Sequence, residues 1–238
     1  MVPWEHTEKT PMDKLVDVLA DISGLLEDLD CLRAMRGQND PPSSGYQTIL
    51  ADCHGIQNSL DQWEREFRGR LGTYDYLLVG LPLPEPTQDV HFATIHLACM
   101  YWAICVLLLT TVQACERALA QPEAHHTDAI TALARRISHA IPLLFDHPAG
   151  LWGALASFFS IGVAIQYLTI IESEVIISDE KTILLGIMYR EFAGSFVGRF
   201  LINLQHRAVS SQGSETGSLT ALERARLWFT GFKDGSLT

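Results

Sequence analysis

Basic side chains are in short supply here, and the cysteines are scattered. Seventeen Lys and Arg stand against 28 Asp and Glu, for a formal net charge of −11. A surface that acidic repels phosphate backbones unless its basic residues gather in one place. The densest group is Arg65, Arg68 and Arg70, and Glu64 and Glu66 sit among them. Direct nucleic-acid binding is therefore not expected. The five cysteines, Cys31, Cys53, Cys99, Cys105 and Cys115, contain no CxxC pair and are odd in number. That pattern suits neither a zinc site nor a disulfide framework and points to reduced thiols. The opening MVPWEHTEKTPMDK has no apolar core of the kind a signal peptide needs. The expected location is intracellular, in nucleus or cytoplasm. No nucleophile elbow, phosphate-cradling glycine loop or dinucleotide fingerprint occurs, so neither a cofactor nor a metal is expected.

Charge is missing altogether from two stretches: Val90 to Cys115 and His147 to Ile171 contain no Asp, Glu, Lys or Arg. About 20 apolar residues are enough to cross a bilayer. Against a membrane reading, the stretches hold His96, Gln113, Gln166 and several Ser and Thr, and their flanks carry no basic excess. Helices that are apolar all round are also the central helices of large soluble domains. The other segments have one-sided apolar stripes that need a partner surface, which favours burial within protein.

What is present reads as helix throughout. Thr10 can cap a helix with Pro11 in its first position, and Leu15, Val18, Leu19, Ile22, Leu25, Leu26, Leu29, Leu32 and Met35 then follow at helical spacing. Asp40 to Gly45, DPPSSG, reads as a loop. A second stripe runs through Ile49, Leu50, Cys53, Ile56, Leu60, Trp63 and Phe67. A connection with Pro82, Pro84 and Pro86 leads to the first charge-free helix. An amphipathic helix from about Thr127 to Phe145, interrupted or bent near Pro142, separates it from the second. A further helix is expected from about Asp179 to Arg207, then a loop SSQGSETGS and a short helix from Leu219 to Phe229. The expected fold is all-α: one multi-helix domain over residues 1–238, two hydrophobic central helices surrounded by amphipathic ones, and flexible loops at about 37–46, 72–90 and 209–218.

Several segments resemble the effector region of fungal zinc-cluster transcription regulators. HFATIHLACMYWAICVLLLTTV (His91 to Val112) is similar to the family helix with a His-Leu, Tyr-Trp pattern and a leucine run. ITALARRISHAIPLLFDHPAGLWGALASFFSIGVAIQYL (Ile130 to Leu168) is similar to the segment that follows it. TPMDKLVDVLADISGLLEDLDCL and ERARLWFTG resemble the family's opening and closing segments. The resemblance implies an all-helical regulatory domain, usually placed after a zinc cluster and often governing secondary-metabolite genes. That cluster needs six closely spaced cysteines in a basic segment, and this chain departs from it. Either the chain is a piece of a longer regulator, or it does not read DNA by itself.

Two functions follow as expectations. One is a regulatory module that binds a small apolar ligand or a protein partner, with a homodimer as a further possibility. The other is the same helical fold repurposed as a cofactor-free isomerase or cyclase, pericyclase-like, holding an apolar secondary-metabolite intermediate in a reactive shape. His96 is the candidate polar group in both, as a hydrogen-bonding anchor or as the catalytic proton carrier. Tyr101, Trp152, Gln166 and Tyr167 are the expected companions lining the same cavity. His125, His126 and Asp128 read as a solvated helix start, Asp146-His147-Pro148 as a turn, and Glu172 with Glu174 as the point where a buried helix reaches water.

Overall fold

The computed structural model describes residues 8–35, 43–68, 89–120, 126–145, 150–172 and 178–188. These form six helices: α1 (Pro11–Met35), α2 (Ser43–Arg68), α3 (Asp89–Ala118), α4 (His126–Leu144), α5 (Gly150–Ile171) and α6 (Asp179–Met188). No strand occurs among the described residues. The fold is all-α, as the periodicity predicts. The proline-rich connection, the chain beyond Met188 and the short terminal helix lie outside the described residues.

Local chemistry sets the first boundary. The Thr10 hydroxyl accepts the Asp13 N–H at 3.2 Å, and the Asp13 carboxylate accepts the Thr10 N–H at 2.8 Å. This reciprocal pair closes two of the donors that a helix start leaves open. The Thr10 hydroxyl also donates to Asp13 and, as the largest contributor, holds its carboxyl below the usual aspartate range. The α2 boundary differs from expectation, since the helix already begins at Ser43, inside the stretch read as loop. Serine is a favoured residue at a helix start, so Ser43 and Ser44 belong to the helix.

α1 and α2 form an antiparallel pair. Leu15, Val18, Ile22, Leu25 and Leu29 of α1 join Tyr46, Ile49, Cys53, Ile56, Leu60 and Trp63 of α2 in the buried core. The Trp63 indole N–H donates to the Pro11 carbonyl at 2.9 Å, and Lys14 meets Glu66 at 2.8 Å, so the start of α1 is tied to the end of α2.

α3 is the centre of the molecule, with α1, α2, α4 and α5 all packed against it. Ile95, Ala98, Cys99, Trp102, Ala103, Ile104, Val106 and Leu108 are buried. A helix with neighbours on several sides has no use for a charged face, which accounts for the absence of charge along it. α3 and α5 are each long and apolar enough to cross a membrane by length and composition. In this fold most of α3 is covered by protein, and about half of α5. Trp152, Leu155, Ile170 and Ile171 of α5 stay exposed.

α3 turns back into α4 through a tight end. Leu119 N–H is shared between the carbonyls of Cys115 and Glu116, Ala120 N–H donates to Arg117, and Ala120 adopts a left-handed φ of 53°. Gln113 donates to the Thr127 hydroxyl at 2.9 Å, and His126 meets Glu116 at 3.3 Å, fixing the antiparallel register of α3 and α4. α4 runs through Pro142 to Leu144 without interruption. Proline lacks an N–H, so the Ser138 carbonyl loses its usual partner four residues on. α6 lies against α4 and α5, where Glu180 pairs with Arg135 at 3.3 Å and buried Lys181 sits 3.7 Å from Glu172. Glu172 thus ends the apolar run by meeting a buried cation rather than by reaching water.

Candidate functional site at the α3–α5 seam

His96 lies where α3 passes the start of α5. Its ring stands edge-on to Trp152, with centroids 5.6 Å apart and planes at 77°. Its Nδ1 is buried and has no hydrogen-bond partner. Burial pushes the imidazole below its ordinary pKa, and a hydrogen bond to the Ala156 backbone opposes this by less. A backbone group that favours the imidazolium acts as an acceptor, hence as a carbonyl. In a neutral imidazole one ring nitrogen carries the proton and the other accepts, and Nδ1 is the nitrogen left for a ligand's polar group. Trp152 is 46% exposed and Leu155, on the next turn, 52%. The seam joins a buried acceptor to an apolar surface open to solvent.

The other expected companions do not gather there. Tyr101 lies on the opposite flank of α3, stacked on Trp63 at 5.1 Å, and its hydroxyl donates to Glu64 at 3.0 Å. Burial, with Cys105 and Glu64 adding to it, pushes the Tyr101 phenol far above its usual range. Tyr167 faces α4, where its hydroxyl lies 3.1 Å from both the Thr127 carbonyl and the Thr131 hydroxyl. Gln166 is exposed. Five residues separate His96 from Tyr101, which on an α-helix turns them about 140° apart. Of the five, only His96 and Trp152 meet.

The four buried cysteines are held as thiols. Burial pushes the Cys53 and Cys105 thiols up to about 12 and that of Cys99 further still. Among the described residues no group of three or more His, Cys, Asp and Glu side chains is arranged to hold a metal. His126 is engaged with Glu116. His125, Asp146-His147-Pro148 and Glu174 lie outside the described residues.

Besides His96 Nδ1, three buried polar atoms lack a partner among the described residues, one of them a Glu116 carboxylate oxygen. The other two escaped the sequence reading. The Trp102 indole N–H and the Ser160 hydroxyl have no hydrogen-bond partner, and their residues are 1% and 0% exposed. The available signal was a serine inside a charge-free helix, one heptad before Tyr167. No family model, curated protein or solved structure matches this chain.

Proposed function

We propose that the chain is a regulatory, ligand-binding helical domain of the kind its sequence resembles. Its ligand is a small apolar molecule carrying one hydrogen-bond donor, a hydroxyl above all. The observation that carries this reading is the unpartnered Nδ1 of His96, buried beside an exposed tryptophan. A buried acceptor without a donor costs about 1–3 kcal/mol, and a ligand hydroxyl would remove that cost. Trp152 and Leu155 supply apolar area for the rest of the molecule, as small-ligand sites commonly do with few polar anchors. We place the domain inside the cell, in nucleus or cytoplasm, where it acts through the ligand or a protein partner. The net charge of −11 argues against direct contact with nucleic acid.

The isomerase or cyclase alternative would use the same His96 as a proton carrier. It loses Gln166 as a second polar group, since that side chain faces outward. Recognition needs only the lone acceptor, so we favour it.

The test is fluorescence titration of the purified chain with 1-decanol, 2-decanone and decane. Saturable quenching by the alcohol is expected, with roughly tenfold weaker binding of the ketone, because one hydrogen bond is worth about 1 kcal/mol or more. His96→Leu should bring the alcohol down to the ketone's level, and Trp152→Phe should remove most of the signal. Equal affinity for all three compounds in the wild type would defeat the proposal.

A further inference from the structure

We propose that the Trp102 indole N–H, the Ser138 carbonyl and the Ser160 hydroxyl together form an internal binding site for one water molecule, enclosed by α3, α4 and α5. This site is separate from the seam at His96 and does not depend on the ligand proposed there.

The three groups are brought together by helix register. Gln113 of α3 bonds Thr127 of α4. Trp102 precedes Gln113 by eleven residues, and Ser138 follows Thr127 by eleven. Eleven residues are three turns plus about 20°, so each lies on the same stripe as its reference residue. Because the helices are antiparallel, both steps run in the same spatial direction. Trp102 is therefore level with Ser138. Tyr167 of α5 bonds Thr127 and Thr131 of α4, and Ser160 lies seven residues before it, about 20° off the same stripe. That step brings Ser160 to within about a turn of Ser138. The edge-on contact of His96 with Trp152 sets α3 and α5 in parallel register, so Trp102 and Ser160, six and eight residues further on, stand within about a turn of each other along the axis, with Trp102 turned about 120° away from His96.

All three residues are buried, with Ser138 and Ser160 at 0% and Trp102 at 1% exposure. The Trp102 N–H and the Ser160 hydroxyl lack partners. The Ser138 carbonyl is left without its helical donor by Pro142, while the Ser138 hydroxyl is already spent on the Ala134 carbonyl at 2.9 Å. One donor, one acceptor and one group able to act as either are thus collected in an apolar interior. Water matches this set: it accepts from the indole, donates to the carbonyl, and exchanges a bond with the hydroxyl. Three bonds is the usual complement of a buried water, and no apolar molecule would satisfy these groups. The site also gives Pro142 a role, because a residue with an N–H there would reclaim the carbonyl.

The experiment is a water-selective ROESY on the uniformly ¹⁵N-labelled full chain, with the Trp102 indole proton assigned from Trp102→Phe. A cross peak between that proton and water, opposite in sign to the diagonal, is expected. A cross peak of the same sign as the diagonal reports exchange with bulk solvent and overturns the proposal. So does an absent cross peak, which means that the indole bonds protein directly. Equilibrium unfolding gives an independent reading. A shared water makes Trp102→Phe and Ser160→Ala non-additive, so the double variant should shift the urea midpoint by less than the two single shifts combined. Additive shifts would mean that the two groups share nothing.

Discussion

His96→Leu should flatten the acid limb of the stability curve, and the size of the effect follows from linkage. In the unfolded chain the imidazole titrates near its ordinary 6.5, whereas burial lowers its pKa in the fold. Below 6.5 the unfolded state therefore binds a proton that the native state resists, and stability falls with falling pH. The contribution is fully present above the unfolded value and is lost between 6.5 and the lower folded value. The slope cannot exceed about 1.4 kcal/mol per pH unit for one group. Integrated from pH 6.5 to 5.5, this gives at most about 1 kcal/mol. Partial solvent access at the seam keeps the true figure below that ceiling. Urea unfolding of wild type and His96→Leu at pH 7.5, 6.5, 6.0 and 5.5, with constant m-values, measures it directly. The other eight histidines are common to both proteins and cancel in the difference. The wild type should lose several tenths of a kcal/mol more than the variant over the acid step. Parallel curves would mean that the imidazole is solvated in the native state, and the reasoning about its bare Nδ1 would fall with it.

Glycines inside helices separate two effects. A Cβ at Gly24 or Gly55 meets nothing within 4 Å, so Gly24→Ala and Gly55→Ala should each stabilise by about 0.5–1 kcal/mol in urea or thermal unfolding. At Gly45 a Cβ would stand 2.8 Å from one Leu32 methyl and 3.0 Å from the other, so Gly45→Ala should gain clearly less or lose stability. An equal gain at all three positions would show that α1 and α2 are not in close contact there. For the thiols, native iodoacetamide labelling near pH 8 should yield one fast adduct, at exposed Cys31, and five after denaturation. Intact mass spectrometry reads the count, and a second fast adduct would contradict the burial of the other four.

The helices were legible because each leaves a mark that does not depend on its neighbours. Thr10, Pro11 and Asp13 announce α1 by their own chemistry, and the stripes of α1, α2 and α4 follow the helical period. The absence of charge along the middle of α3 likewise announces burial, whereas along α5 it accompanies only about half. That same absence hid the site. A helix with a polar face declares which side looks inward, whereas one that is apolar all round gives no bearing for His96, Tyr101, Gln166 or Tyr167. Grouping them in one cavity required knowing which neighbour each faces. Tyr101 answers to Trp63 and Glu64 on α2, and Tyr167 to Thr127 and Thr131 on α4. Those partners lie 37, 40 and 36 residues away for the hydrogen bonds of Glu64, Thr127 and Thr131, beyond the reach of any local pattern. The early start of α2 was obscured because proline and serine mark both loops and helix beginnings.

Ala120 has a mechanical consequence. A side chain bearing a β-carbon in the left-handed region stores about 1 kcal/mol that glycine would not. That residue follows the end of α3 beside two side-chain contacts to α4, Gln113 on Thr127 and Glu116 on His126. Glycine at position 120 would release that strain while leaving both contacts in place.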